Sequence, residues 1–396
     1  MNEEQELRDR LRAVDVPASR IEIDALVRAG RRRTFRRRSF QGAGGVALAT
    51  AVLLAVPSIV TRAGAQPGAA PATGLPAEAT ASARPTVTAD GSRPAGGLTG
   101  RCPVVELPVP SGMKDVTAVG VDPAGRYIIG YDVVGQDFRP VLWTDGKPQA
   151  LPVPGTSVEL SAVNADGVVV GVVQDARQEY VFRYRNGVYT RLRTPQGNWH
   201  VYPEPAINAT GDVVINAEPQ GNSGGKDSIA LFWKAGSTTA VKLPLPDGAN
   251  VFGITDDGTI VGTMYRNGIG IAAYAWDRQG NGRKLKAPDG ETAAGYAVRG
   301  GWATGGLWPS HSAARWNLRT GEVTQLAADG PGEAVNAAGW VVVNGSVLRD
   351  GDAAELEVPD GQTSLARAVS DTGMVVGQAR AGGRTGENLG PRAWRC

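Results

Sequence analysis

Beyond residue 100 the apolar positions come in short runs, β-branched or alternating with polar residues, and Gly, Asn or Asp breaks them every few residues. Residues 158–193 show the pattern in full. VELSAV is one short apolar run, Asn164-Ala165-Asp166-Gly167 interrupts it, and VVVGVV follows. YVFRY alternates, Arg185-Asn186-Gly187 interrupts again, and VYTRL closes the unit. Alternation and β-branching predict strands. Asn and Asp bond their own backbone and Gly accepts positive φ, which predicts turns between them. Asn-Gly is the strongest short hairpin signal. Four antiparallel strands in a unit of this length make one blade of a β-propeller.

The first turn and its flanking strands recur as a nine-residue phrase. It reads VDPAGRYII at 121–129, VNADGVVVG at 163–171, INATGDVVI at 207–215 and ITDDGTIVG at 254–262. AVRGGWATG at 297–305 is a worn copy, and VNAAGWVVV at 335–343 and VSDTGMVVG at 369–377 complete the set. The fifth residue is always glycine, and successive glycines are 42, 44, 47, 43, 38 and 34 residues apart. A period near forty signals a repeat architecture. The third strand ends on an aromatic at Trp143, Tyr184, Trp233, Trp276, Trp316 and Trp394, with Leu348 in the sixth repeat. The fourth carries Leu151, Leu192, Leu243, Leu285, Leu326 or Leu356. Side chains that recur at one position of every repeat are expected to pack blade against blade.

The seventh repeat lacks a fourth strand. Residues 102–108 match the fourth-strand phrase, with Leu107 in the leucine slot, so they are expected to complete blade seven and close the ring. Alignment with the first repeat puts Cys396 near Asp145 and Cys102 near Gly146, in the tight turn between strands three and four. These are the only two cysteines of the chain. A disulfide there would replace the missing peptide connection and stabilise by roughly 5 kcal/mol on a chain-entropy basis. The fold class expected is all-β, a seven-bladed β-propeller at 101–396, with an N-terminal transmembrane helix and a short helical cytoplasmic segment.

The first hundred residues carry the second part of that expectation. Residues 40–61 are uncharged and rich in Ala, Val and Leu, long enough to cross a bilayer. Residues 1–39 hold 11 Arg against 7 acids, and positive charge on that flank keeps it cytoplasmic. Ser19 and Glu22 form a possible capping box in a helical segment. An uncleaved signal anchor is one reading. A cleaved twin-arginine signal is the other, with Arg37-Arg38-Ser39-Phe40 as the paired-Arg motif and Ala63-Gly64-Ala65 as the cleavage site. Both place the propeller outside the cytoplasm, which suits a two-cysteine disulfide. Residues 62–100, rich in Pro, Ala, Gly and Thr, cannot bury a core and read as a disordered linker.

Charge and chemistry narrow the function only by exclusion. Net charge is +2 and the surplus sits in the first 39 residues, so the propeller offers no basic field for nucleic acid. With two histidines, His200 and His311, no His-rich metal cluster or Ser-His-Asp arrangement is visible, and no catalytic residue, cofactor or metal is assigned. Gly221-Asn222-Ser223-Gly224-Gly225 matches G-x-S-x-G but falls in a loop between strands, and Asp277–Gly282 occupies a hairpin slot. The connections between strands two and three, and from strand four onward, are expected to be longer and to share one face, where binding residues concentrate. Candidate ligand contacts there are Arg177, Trp199, His200, Tyr202, Tyr265, Arg266, Trp308 and His311, with Phe138, Arg139, Glu204 and Arg384 beside them. Asp175, Glu179, Glu204 and Asp227 are the loop carboxylates an enzyme would use.

The phrase with its aromatic-ending strand and leucine-proline resembles the bacterial extracellular HAF-type repeats over 102–396. The family's His-Ala-Phe signature is absent; the nearest string is His311-Ser312-Ala313-Ala314-Arg315-Trp316. The resemblance implies an extracytoplasmic, propeller-like protein and brings no activity and no site residues. The expectation is a monomeric, membrane-tethered binding or sensory module for a protein, glycan or envelope ligand. The alternative is a propeller enzyme, a hydrolase or lyase acting on glycans, and a scaffold role is the third.

Overall fold

In a computed structural model of the protein, residues 100–175, 178–222, 227–349 and 352–396 are described. The expected cytoplasmic helix, membrane span and linker, residues 1–99, lie outside them. Among the described residues no helix is long and apolar enough to cross a membrane. They form seven antiparallel sheets arranged as blades, with first strands Val116–Val121, Ser157–Val163, Trp199–Val201 with Ala206–Ile207, Ala249–Ile254, Thr292–Arg299, Gly332–Val335 and Gln362–Val369. Each first strand touches the first strand of the next blade, and Gln362–Val369 touches Val116–Val121, so these strands form the innermost ring around the axis.

The recurring aromatic and leucine meet between blades. The core is seven clusters, one per junction. Leu151 lies with Tyr184, Leu192 with Trp233, Leu243 with Trp276 and Leu285 with Trp316. Leu326 lies with Leu348, Leu356 with Trp394, and Leu107 with Trp143. In every pair the leucine comes from the outer strand of one blade and its partner from the third strand of the next. Four indoles also donate to the carbonyl just after that leucine: Trp143 to Pro108 at 2.7 Å, Trp233 to Arg193 at 3.1 Å, Trp316 to Lys286 at 2.6 Å and Trp394 to Glu357 at 2.8 Å. A buried tryptophan needs such a partner for its N–H.

The ring closes as the repeat alignment requires, with one addition. Val104–Glu106 pairs with Asn388–Arg395 as the fourth strand of blade seven. Cys102 and Cys396 form a disulfide with Cα atoms 4.7 Å apart. The closing strand is shorter than the expected 102–108 because Arg101–Cys102 belongs to another sheet: it runs parallel to Asp352–Leu356, the outer strand of blade six. Arg101 also pairs with Glu355 at 2.9 Å. One stretch of six residues thus ties blades six and seven.

The phrase itself stitches the inner rim. The side-chain oxygen of Asn164 accepts from Asp166 and Val168 N–H of its own turn, while its amide nitrogen donates to Asn208 O of the next blade at 3.2 Å. Asn208 repeats this, donating to Thr255 O at 3.0 Å, and Asn336 donates to Ser370 O at 2.9 Å. The phrase glycine serves the same junction. Gly167 has φ +72°, and a Cβ there would sit 2.8 Å from the Tyr127 ring of the preceding blade.

The worn fifth copy is a local redesign. Arg299 and Trp302 pair across a two-residue turn, Gly300-Gly301, so the loop is one residue shorter than its relatives. Arg299 therefore takes the slot that Asn164, Asn208 and Asn336 fill in three other copies, not Val298 as the glycine alignment implies. Its guanidinium reaches Asp371 of blade seven at 2.9 Å and Asp256 of blade four at 3.5 Å. Those carboxylates also accept from Ala337 and Ala209 N–H of the blades preceding theirs. Blades five and seven are not adjacent, so this arginine lies across the axis on the short-turn rim.

Candidate functional site

At the opposite rim the expected division into short and long connections holds only in part. Val134 pairs with Asp137, Arg266 with Ile269, and Val343 with Ser346, so three of the connections between strands two and three are two-residue turns. Asn267-Gly268 and Asn344-Gly345 have both residues at positive φ. The Asn-Gly signal recognised at 186–187 was present at both places and marks strands that run farther than expected. Tyr265, Arg266, Phe138 and Arg139 consequently stand on strands rather than loops.

The site begins with a defect shared by six inner strands. Each carries a β-bulge, leaving Val119, Ser161, Phe252, Tyr296, Glu333 and Arg367 unpaired. Each lies three residues before the slot that holds Asn in the phrase. The ninth-position glycine explains how the strands accommodate this. A Cβ on Gly171 would come within 2.0 Å of Glu159 O, and one on Gly262 within 1.9 Å of Asn250 O. A bulge re-aims the side chain it carries, here from the innermost strand of the blade toward the axis. In blade three Pro203 and Pro205 interrupt the inner strand instead.

These side chains divide the central well into two walls. Phe252 and Tyr296 of adjacent blades meet edge to face at 5.4 Å, and Trp308 stands edge-on behind Tyr296 at 6.4 Å. Tyr265 lies in electrostatic reach of both Tyr202 and Tyr296. Burial raises the pKa of all three phenols, so they remain neutral hydrogen-bonding groups. Tyr202 donates to Glu218 at 3.4 Å, whereas the buried Tyr296 hydroxyl has no hydrogen-bond partner among the described residues. On the other wall Arg367 faces Glu333 at 3.9 Å. Burial raises the Glu333 pKa; Arg367, Arg384 and the Asn344 N–H act against it.

The residues singled out in the sequence spread around this well. His200 pairs with Glu179 Oε2 at 3.1 Å across the junction of blades two and three, and its ring is 6.3 Å from that of Tyr202. Trp199 is partly buried and donates to Gln196 O. Tyr202 and Trp308 are buried at 5% and 8% exposure, walls rather than free anchors. Arg266 and His311 are exposed. Arg384 donates to Asn344 O. Arg139 pairs with the buried Asp132 at 3.0 Å. Arg177 and the core of the G-x-S-x-G string lie outside the described residues. Of the loop carboxylates, Glu179 holds His200, Asp175 accepts from Gln178 N–H, and Glu204 and Asp227 are exposed. Asp277 accepts from Gln279 and Asn281 N–H and so makes the hairpin turn expected of it. No group of three or more His, Cys, Asp or Glu among the described residues could hold a metal ion. Sequence reasoning missed Phe252, Tyr296, Glu333 and Arg367. For Phe252, Tyr296 and Arg367 the signal was the ninth-position glycine, Gly262, Gly305 and Gly377, which marks a bulge opposite; Glu333 has Val343 there and carried no such mark.

By architecture the chain is a seven-bladed β-propeller. No family model matches it, and no curated protein does. Among solved structures, an oligogalacturonate lyase in complex with manganese superposes with a TM-score of 0.53 at 13% identity, covering 71% of this chain and 90% of that one. The oligogalacturonate lyase of Vibrio parahaemolyticus gives 0.52 at 11%, covering 71% and 91%. Puromycin hydrolase gives 0.51 at 17%, covering 68% of this chain, which spans about half, 51%, of that enzyme. At such identities these likenesses establish the fold alone.

Proposed function

We propose that the chain handles a glycan at the mouth of its central well, on the rim opposite the Arg299 crossing. The observation that carries this is the pairing of an aromatic wall, Phe252 and Tyr296, with a polar wall, Glu333 and Arg367, on adjacent inner strands. Sugars present a CH face to the first and hydroxyls to the second. Cleavage is the mode with outside support, since the two neighbours covered over 90% and 91% of their length are lyases of a glycan and the third is a hydrolase. Capture without cleavage, as a binding or sensory module, is favoured by the residues: aromatic side chains and arginines dominate the mouth. Location outside the membrane, tethered through residues 40–61, is supported by the Cys102–Cys396 disulfide, a bond favoured in oxidising compartments and rare in the cytosol. That location also agrees with the HAF-type resemblance.

The deciding experiment incubates the full chain with a panel of oligosaccharides, uronate-containing ones included. Product formation is followed by chromatography and by the ultraviolet absorbance of an unsaturated uronate end. New products that vanish in Glu333→Gln establish cleavage. Calorimetric binding without products establishes capture, and neither products nor binding refutes the glycan reading.

A further inference from the structure

We propose that the well is built for an acidic sugar, with the sugar's carboxylate on Arg367 and Arg384 and its ring against Phe252 and Tyr296. This rests on the glycan reading and names the ligand class within it. Tyr296, Glu333 and Arg367 occupy the same bulged slot of three successive inner strands, in blades five, six and seven. They therefore face one volume.

The electrostatics of that volume are unbalanced. Arg367 Nη1 is 3.9 Å from Glu333 Oε2, beyond hydrogen-bond length. Its side chain is 39% exposed, against 14% for Glu333. The Glu333 carboxylate takes its hydrogen bond from Asn344 N–H, and Arg384, held by Asn344 O, acts on the same carboxylate. Two guanidinium groups thus share one carboxylate, one positive charge in excess within this cluster. A guanidinium offers five N–H donors in a planar fork, and a carboxylate matches that fork with two acceptors.

Tyr296 supplies an independent pointer. A buried hydroxyl without a partner costs about 1–3 kcal/mol. Its ring stands on the aromatic wall beside Phe252, with the hydroxyl closed off from solvent. A turn of the ring as a sugar enters would bring a ring hydroxyl of the sugar to satisfy it. A small inorganic anion would satisfy the arginines and leave the phenol and the aromatic wall unused.

The test is calorimetry of the full chain with digalacturonate, with α-1,4-galactobiose as its neutral counterpart, and with inorganic phosphate. Digalacturonate is expected to bind at least about tenfold more tightly than galactobiose at low salt. Arg367→Gln combined with Arg384→Gln should erase that preference. Tyr296→Phe should weaken both sugars alike, and circular dichroism should show both variants folded. Equal affinity for the two disaccharides overturns the acidic-sugar inference and leaves the glycan reading standing. So does a preference that survives Arg367→Gln combined with Arg384→Gln. Phosphate binding as tight as digalacturonate also overturns it. Binding of neither sugar overturns both.

Discussion

The two rims of the ring are built from the same seven strands yet obey different rules. On the short-turn rim the phrase reaches into neighbouring blades: Asn164 and Asn208 reach forward with their amides, and Gly167 receives Tyr127 of the blade before it. The charged departure in blade five, Arg299, is answered by Asp256 and Asp371. Along the same inner strands, facing the well beyond that rim, one bulge slot holds Val119, Ser161, Phe252, Tyr296, Glu333 and Arg367, six different residue types at one geometric position. Tyr296 is left with an unsatisfied hydroxyl there, and Arg367 and Glu333 make only a long ion pair. One rim spends its polar groups on assembly; the other keeps them available. A repeat protein can separate the two tasks because the turns on one rim need not match those on the other.

The largest expected break in this division is at the splice. Cys102→Ala with Cys396→Ala removes a cross-link spanning 294 residues of separation. On the chain-entropy account this costs about 5 kcal/mol. The Val104–Glu106 strand would keep its pairing, so the ring should still form. Thermal unfolding should fall by about 10 °C, and the reduced native protein should match the variant. Ligand binding at the opposite mouth should stay within about twofold at a temperature where the variant is folded. An unchanged melting temperature would show that the parallel pairing of Arg101–Cys102 with blade six already closes the ring.

A smaller and sharper comparison sets Asn208→Ala against Arg266→Ala. Asn208 is buried, and its loss strands Asp212 N–H and removes the bonds to Thr255 O and Thr210. Leaving buried groups unpaired should cost about 2–3 kcal/mol by chemical denaturation. Arg266 is exposed on the far rim, and its removal should change stability by less than about 0.5 kcal/mol. Equal costs would refute the assignment of the phrase to assembly.

These contrasts explain what could be read along the chain. Blade count, the aromatic and leucine slots, the closing strand and the disulfide all rest on positions that repeat, and repetition makes a weak local signal strong. The second half of each asparagine's work was hidden, because a sequence shows the turn that Asn208 caps but not the blade it donates to. The candidate site was partly misplaced for a related reason. Length and irregularity drew attention to loops, while the side chains at the axis sit on strands. Trp308 and Tyr202 looked like anchors but pack as walls. Arg299 looked like decay of the phrase because its loop had lost a residue, and only pairing across the Gly300-Gly301 turn shows which slot it fills.

The finest test of the difference between the rims is the pH dependence of Glu333. Burial raises its pKa above the ordinary value of 4.5, and Arg367 and Arg384 offset only part of that cost. The folded state therefore holds this proton more tightly than the unfolded chain does. Its contribution to stability is complete below the unfolded value and is lost as pH rises through the folded one. Glu333→Gln carries no titrating group, so its melting temperature relative to the parent should climb with pH across that window and then level. The effect should be the smallest of the three, because both arginines recover part of the cost once the carboxylate ionises. Digalacturonate should sharpen it. A ligand carboxylate drawing on Arg367 and Arg384 would weaken their hold on Glu333 and push the climb to higher pH. A parent and variant whose melting curves stay parallel from about pH 4 to pH 7 would show that water reaches Glu333 freely. The mouth would then hold no more charge imbalance than the rim behind it.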